Sequence, residues 1–581
     1  MQKAESESRC AQVVEALTLA TIASWVTYLI HERTTHENAK SESRLEDQRL
    51  MQTSHALVVL LVLGFAAFAL STFRPQVLSK AFGTSCRQER DAGLVVGCLL
   101  LPLALFSRLL VEVHHERYFS SFTYFYAWTS ISIGVSILLK LAVFGTVTSL
   151  RVSTFVDVVL LPILFGVFSP IEAEWRFLLA TCGRIIVATV LTVGLKLLPR
   201  SFTIGEGLLV AQGVGLCFYD LVLTTMSRVS ECCYINPLPR AFHSWLIFDL
   251  ERLDHVLALQ VGVLGSLLVC AALIPLLQSY GSPSPTVVAR PLPVKGSVAF
   301  VLTTAVVAGG VVYPWSGFLL QTWNPVAWLL DFLTESSSLL VFVPRRIALM
   351  GYWAVCLVVF VPLFAFISDH YALQKIVARK LFHLLVVLML GPASLLDVSM
   401  LSLSYGVALG IFFLLECVRA LAVPPFGQPL ALFLRTFIDH REAGRVIMTH
   451  SYLLLGCALP LWLAPSSNTP SALVVNAGVL VLGIGDAMGA VVGSSIGKRK
   501  FFGSKTIEGS GAMFVSTMLA SMPLHDYYLR SLVHGEHLQL MLLTGAILLV
   551  SVLEAATAQI DNLVLPLFVY TACNLVSCHR L

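Results

Sequence analysis

The chain has 581 residues, 57% of them hydrophobic and only 12% charged, with a mean hydropathy of +0.82. Soluble domains carry about 25% charged residues, so a string of soluble domains, a disordered chain and a collagen-like fibre are excluded, and a polytopic membrane protein remains. The net charge of +4, from 38 Lys and Arg against 34 Asp and Glu, is too small to point to nucleic acid as a partner.

In chain order, the first dozen residues, MQKAESESRCAQ, are polar and mixed in charge, and show no cleavable signal peptide. Apolar runs of about 18–25 residues, enough to cross a hydrocarbon core of about 30 Å, then recur almost to the end. The strongest cover 55–73, 92–111, 122–148, 152–169, 177–198, 256–277, 297–320, 347–368, 400–421, 446–464, 471–493 and 538–557. Weaker ones cover 11–30, 204–226, 381–396, 512–524 and 563–577. Lipid leaves no water for unpaired backbone groups, so these runs are expected as helices, giving an all-α fold with about 13–17 spans.

The polar segments between them are too short for an independent soluble domain. One of them, QSYGSPSPTVVARPLPVKG (278–296), is rich in Pro and Ser and reads as a flexible linker that divides the chain into 1–290 and 291–581. The 13 cysteines are scattered without a CxxC pair and read as small apolar core residues, not as a disulfide frame or a zinc site. Basic residues gather in three loops of the second half: Lys375, Arg379 and Lys380; Arg435, Arg441 and Arg445; Lys498, Arg499, Lys500 and Lys505. By the positive-inside rule these loops are expected on the cytosolic face.

The sharpest conflict between local sequence and apolar setting is GIGDAMGAVVGSSIGKRKFFGSKTIEGSGA, residues 483–512. Asp486 stands inside an otherwise uncharged apolar stretch, where a carboxylate is costly and calls for a partner or a function. Gly485, Gly489, Gly493 and Gly497 recur every four residues. On a helix they form one smooth stripe, either a close contact for a neighbouring helix or a groove for a nucleotide or lipid chain. Lys498, Arg499 and Lys500 follow, then Gly503, Ser504, Lys505, Thr506, Ile507, Glu508 and Gly509. Small residues let backbone amides approach phosphate oxygens, Lys supplies a point charge, and a helix starting near Thr506 adds free amides. Neither GSSIGKR nor GSKT has the spacing of a nucleotide-binding P-loop, so this is a phosphate-site candidate of another kind.

This segment closely resembles the nucleotide-binding segment of dolichol kinases, membrane enzymes that phosphorylate a polyprenol with CTP. The Gly-Asp followed by Lys-Thr-x-Glu-Gly is also similar to phosphatidate cytidylyltransferases and phytol kinases. The blocks VARKLFHLLVV (377–387), FFLLECVR (412–419), THSYLLLGCALPLWL (449–463) and LEAATAQIDNLVLPL (553–567) favour the dolichol branch, and SFTIGEGLLV (201–210) is a weaker likeness. The chain lacks the late Lys-Asp…His-Gly-Gly…Asp-Arg signature of the cytidylyltransferases and has Gln559-Ile560-Asp561-Asn562 there.

The resemblance implies phosphoryl transfer from CTP to the terminal hydroxyl of dolichol, in the endoplasmic reticulum membrane, with the catalytic region in 291–581 and the nucleotide loop facing the cytosol. It makes Asp486 the first candidate for holding Mg²⁺ and Lys505 the contact to the β/γ-phosphates. Lys498, Arg499 and Lys500 would supply the wider field, and Ser504, Thr506 and Gly509, with the glycine stripe, would cradle the nucleotide. Glu508 is a second Mg²⁺ ligand or the proton acceptor. Asp561, with Glu554 seven residues before it on one helical face, is the alternative acid, and Glu554 could equally be a packing ion pair.

Other polar groups stay open. Arg379, Lys380 and His383 either bind phosphate or mark the membrane interface. Glu416 and Arg419 suit a pair on one helix face. Asp439, His440, Arg441 and Glu442 form a lid or a solvated loop. Lys140, Asp157, Arg184, Glu206 and Asp220 either line a path for a long isoprenoid or satisfy one another. The other readings are a kinase for another isoprenoid alcohol, a CTP-dependent lipid cytidylyltransferase, and a multi-pass transporter that leaves Lys-Thr-x-Glu-Gly unexplained.

Overall fold

Backbone groups in hydrocarbon must pair within their own segment, and the apolar runs accordingly form helices. The computed structural model describes residues 2–36, 44–73, 75–82, 85–87, 89, 91–116, 121–146, 149–161, 174–233, 252–282, 287, 289–335, 338–340, 343–435, 445–464, 471–529 and 536–579. Among them, twelve helices are long and apolar enough to cross a membrane. The expected runs 446–464 and 471–493 form shorter apolar helices, Thr449–Leu463 and Val479–Ser495, and the run 152–169 extends beyond the described residues. A two-stranded antiparallel ribbon pairs Ser338–Leu340 with Val343–Pro344. The protein is an all-α polytopic membrane protein.

The centre of the bundle is built from helices of both halves. Helix α1 (Leu94–Val111) is buried along nearly its whole length. It packs on α2 (Ser121–Leu139), α3 (Ile204–Cys233) and, from the far end of the sequence, α9 (Asp561–Cys578). A helix that is apolar on every face belongs in a core. Leu99, Leu103 and Phe106 of α1 share one apolar cluster with Leu482, Val564 and Phe568. Lipid tails are as apolar as these side chains, so close approach rather than water exclusion holds the helices together. Gly97 illustrates this: a Cβ there would lie 2.9 Å from the Gly205 Cα.

Around this core the second half adds α4 (Lys375–Leu396), α5 (Val398–Ala420), α6 (Ala487–Ser495), α7 (Ile507–Leu529) and α8 (Glu536–Ala556). Ser282 and Leu292 are tied back to the end of α5, their amides donating to the Ala420 and Ala422 carbonyls at 3.0 and 3.1 Å.

Several charges of the first half pair with one another. Lys140 Nζ lies 2.6 Å from Asp157 Oδ2, and Arg184 Nη2 donates to the Asp157 carbonyl at 2.9 Å. Asp220 accepts from Tyr126, Arg252 and Gln260. Arg419 pairs with Glu416, as its spacing suggests, and Glu416 also accepts the Ile447 amide at 2.6 Å. Asp439, His440, Arg441 and Glu442 lie outside the described residues.

Candidate active site

The site begins where a helix changes pitch. Val479–Asp486 forms wide, π-type turns that pass into regular helix α6 at Ala487. Such widenings recur at functional positions because they re-aim one side chain. Here the turn ends on Asp486, which is 4% exposed. Its Oδ2 accepts a hydrogen bond from Lys380 Nζ, and His383 Nε2 lies 3.5 Å away. His383 Nδ1 donates to the Arg379 carbonyl at 3.2 Å, leaving Nε2 to face Lys380 at 3.5 Å. The block 377–387 therefore sets its Lys and His against Asp486.

The glycine stripe has a packing role. Gly489 and Gly493 face the first turns of α7, where Gly509 meets them. A Cβ on Gly509 would lie 2.8 Å from the Gly489 carbonyl oxygen, a backbone atom that cannot swing aside. Gly485 faces Met513 and Thr517 of α7, and Gly497 faces Thr506. These four glycines let α6, the hairpin and α7 approach one another closely. Gly509→Ala is expected to cost about 1–3 kcal/mol by overpacking. Thermal unfolding in detergent micelles, followed by tryptophan fluorescence, measures it.

Between these helices the chain makes a tight hairpin. Lys500 and Thr506 pair as an antiparallel bridge, the Phe501 amide donates to the Lys505 carbonyl at 2.9 Å, and Gly503 takes a φ of 57° at the turn. Thr506 Oγ1 accepts the Gly509 amide at 3.2 Å and so caps α7. Lys498, Arg499, Lys500 and Ser504 are exposed around the hairpin.

Glu508 does not join Asp486. Its two carboxylate oxygens accept the Arg499 amide, each at 3.2 Å, and so fasten the basic loop to the start of α7. Hydrogen bonds from its own amide, then from Arg499 and Lys498, hold this carboxyl below the usual glutamate range. The expected pairing of Asp486 with Glu508 as metal ligands is thus not the grouping the structure makes. Glu508→Ala is expected to loosen this loop from the start of α7. Faster amide hydrogen exchange at residues 498–505 checks this.

The partners of Asp486 come from the end of the chain. Lys505 reaches inward from the hairpin, donates to Glu554 Oε1, and lies 3.6 Å from Asp561 Oδ2. Burial opposes its charge, but Asp561, Glu554 and Asp486 outweigh burial and hold the ammonium above the usual lysine range. Ligand atoms of Asp486, Glu554 and Asp561 all lie within 4.8 Å of one another. Glu554 is 6% exposed, and Asp561 Oδ1 is buried with no hydrogen-bond partner among the described residues. Helix α8 stops at Ala556 and α9 starts at Asp561, so the two acids meet across a turn and do not share one helical face. The site therefore sets three carboxylates from three segments against Lys380 and Lys505. Oxygen donors in this number suit a hard divalent cation such as Mg²⁺, and the unpartnered Asp561 Oδ1 is a vacant acceptor beside them.

A sequence model of one family, described as dolichol kinase, matches residues 262–506. The chain is 33% identical to the dolichol kinase EVAN of Arabidopsis thaliana over 379 residues, 64% of either chain. It is 32% identical to the dolichol kinase of Homo sapiens over 390 residues, 64% of this chain and 65% of that one. Over these stretches the chain is similar to dolichol kinases. The dolichol kinase sec59 of Schizosaccharomyces pombe is 28% identical over 396 residues, 66% of this chain and 70% of its own. The overlap thus spans a little under two thirds of the Arabidopsis and human relatives. No solved structure matches the chain. The matched family segment contains Lys380, His383, Asp486 and Lys505 and ends at Thr506, so Glu554 and Asp561 enter the site through geometry.

Proposed function

We propose that the protein transfers the γ-phosphoryl group of CTP to the terminal hydroxyl of dolichol, giving dolichyl phosphate and CDP. The observation that carries this reading is the meeting of Asp486, Glu554 and Asp561 with Lys380 and Lys505 in a membrane bundle related to dolichol kinases. Phosphoryl transfer asks a protein for positioning and charge neutralisation more than for covalent chemistry. Acids and lysines in alternation provide both.

Asp486, Glu554 and Asp561 would hold a divalent cation, whose chemistry is to neutralise charge building on the transferring phosphate. Lys380 and Lys505 then exchange their carboxylate partners for phosphate oxygens. Lys498, Arg499 and Lys500, exposed on the hairpin, draw the anionic nucleotide toward the mouth of the site. The alcohol oxygen forms the new bond to the γ-phosphorus, the bond to the β–γ bridging oxygen breaks, and CDP leaves. Asp561 Oδ1, free of hydrogen bonds among the described residues, takes the alcohol proton.

In this reading 291–581 is the catalytic region, with the 483–512 loop facing the cytosol. The protein resides in the endoplasmic reticulum membrane, and its product is the lipid carrier for protein glycosylation. Purified protein is incubated with a polyprenol and either γ-labelled or α-labelled CTP. Label in the lipid from γ-CTP alone is the expected result; label from α-CTP would make the protein a cytidylyltransferase, and a preference for phytol over polyprenols would move it to another alcohol.

A further inference from the structure

Several buried charges of the first half pair with one another, and Glu206 pairs with the turn that precedes Asp561. Glu206, at the start of α3, is fully buried. With Thr203 it forms a capping box: its Oε2 accepts the Thr203 amide at 3.0 Å, and its own amide donates to Thr203 Oγ1 at 3.2 Å. A capping box needs nothing more. Here Arg87 Nη2 also donates to both carboxylate oxygens, at 2.8 and 2.9 Å, and Oε1 accepts the Ile560 amide at 2.9 Å. Ile560 is the residue immediately before Asp561.

The neighbouring residue is held as firmly. Gln559, also fully buried, accepts from Thr203 Oγ1 at 2.5 Å and donates to the Asp91 carbonyl at 3.2 Å. Its amide group occupies the space that a Cβ on Gly93 would need, and Gly93 has a φ of 69°. The Gly205 amide donates to the Ala92 carbonyl at 2.8 Å, and a Cβ on Gly205 would lie 2.9 Å from the Gly93 Cα. Arg87 and residues 91–93, 201–206 and 557–561 are thus clasped together. Apolar residues would hold helices together at lower desolvation cost than a buried ion pair. A charged clasp placed one residue before a site carboxylate does something that apolar packing cannot: it fixes one backbone amide.

We infer that Glu206 is a positioning residue for Asp561, acting through the Ile560 amide and the Arg87 guanidinium. This rests on the reading of the acidic site as a divalent-cation phosphotransfer centre. Removing the Glu206 charge frees the turn 557–560 and lets Asp561 drift from Asp486 and Glu554. A shift of this kind weakens cation binding and turnover and leaves nucleotide recognition by the 498–506 hairpin largely intact.

The test uses the full chain in lipid nanodiscs. Mn²⁺ affinity is measured by electron paramagnetic resonance, alongside kcat and the KM for CTP. E206Q is expected to weaken Mn²⁺ binding about 10-fold, as loss of a supporting partner typically does. It should lower kcat about 10- to 100-fold through misplacement, with the KM for CTP changed less than about 3-fold. In a D561N background, E206Q should add less than about 2-fold to the loss of Mn²⁺ affinity, because the two act in series. Thr203→Ser keeps both hydroxyl contacts and should behave as wild type. If E206Q fails to accumulate, Thr203→Val, which loosens Gln559 and leaves the ion pair, should show the same pattern at smaller size. Unchanged Mn²⁺ affinity in a folded variant, or an undiminished further loss in D561N, would overturn the inference. A wild-type protein that phosphorylates no polyprenol yet binds Mn²⁺ in a Glu206-dependent way would overturn the kinase reading alone.

Discussion

Asp486→Asn is expected to reduce turnover by about 10³-fold or more while leaving the protein in the membrane. The substitution preserves shape and removes one negative charge from the set that Asp486 makes with Glu554 and Asp561. It also strips Lys380 of its carboxylate partner, and Lys380 is mostly buried. Breaking one side of a buried ion pair costs about 3–5 kcal/mol when the remaining charge cannot escape. Lost activity could then reflect lost structure, and a second variant separates the two. Asp486→Asn combined with Lys380→Met removes both charges, so it should recover much of the thermal stability and none of the turnover. Assay with γ-labelled CTP gives the rate, and fluorescence-detected melting gives the stability. The concentration of Mg²⁺ needed for half-maximal rate should rise in any partly active variant at this position. Rates near wild type in Asp486→Asn would remove this carboxylate from the chemistry.

The architecture was legible because bilayer thickness fixes helix length, and a run of apolar residues carries that length openly. Two segments were harder to read, for physical reasons. The run 471–493 reads as one span, but the chain forms a short turn of helix at Ala472–Val475, the widened Val479–Asp486 stretch and then α6. Hydropathy does not report pitch. The run 563–577 reads as weak because of polar residues such as Thr571 and Asn574, yet α9 is among the most buried helices. Its polar groups face other helices; Asn574 Nδ2 donates to Ser107 Oγ at 3.1 Å.

The site was half legible in the same way. Asp486 and Asp561 stand out as acids beside apolar runs and Lys505 by its place after Gly503-Ser504, and the structure gathers all three. Glu508 reads as their companion because it lies three residues from Lys505, but a carboxylate in the first turn of a helix turns back to the preceding loop amides. Glu554 could not be separated from a packing residue by spacing. Its contact with Asp561 depends on the chain stopping and restarting between Ala556 and Asp561, and on Lys505 arriving from a hairpin about fifty residues earlier in sequence.

Lys505→Met should separate cation binding from catalysis with opposite signs. Lys505 donates to Glu554 and sits 3.6 Å from Asp561, so it competes with any cation for these acids. Replacing it with an apolar side chain of similar length leaves the three carboxylates facing, among the described residues, Lys380 and His383. Like charges at this separation repel, and bound Mn²⁺ relieves the repulsion, so affinity for Mn²⁺ alone should rise about 3- to 10-fold. Turnover should fall about 10³-fold, because a cation aimed at the transferring phosphate is worth that much in phosphoryl transfer. Lys505→Arg keeps the charge but presents a planar fork in place of a compact ammonium, and should recover less than about a tenth of the rate. Stability should depend on the cation: Lys505→Met melts below wild type in chelator and regains most of the difference with saturating Mn²⁺, because ligand binding to the folded state adds directly to its stability. Asp486→Asn moves Mn²⁺ affinity the other way, since it deletes a ligand. If both variants lost Mn²⁺ affinity, Lys505 would be holding the acids in place rather than balancing their charge, and its assignment to the phosphate would fall. Opposite signs in the two variants, with both nearly inactive, place the acids on the cation and the lysine on the nucleotide.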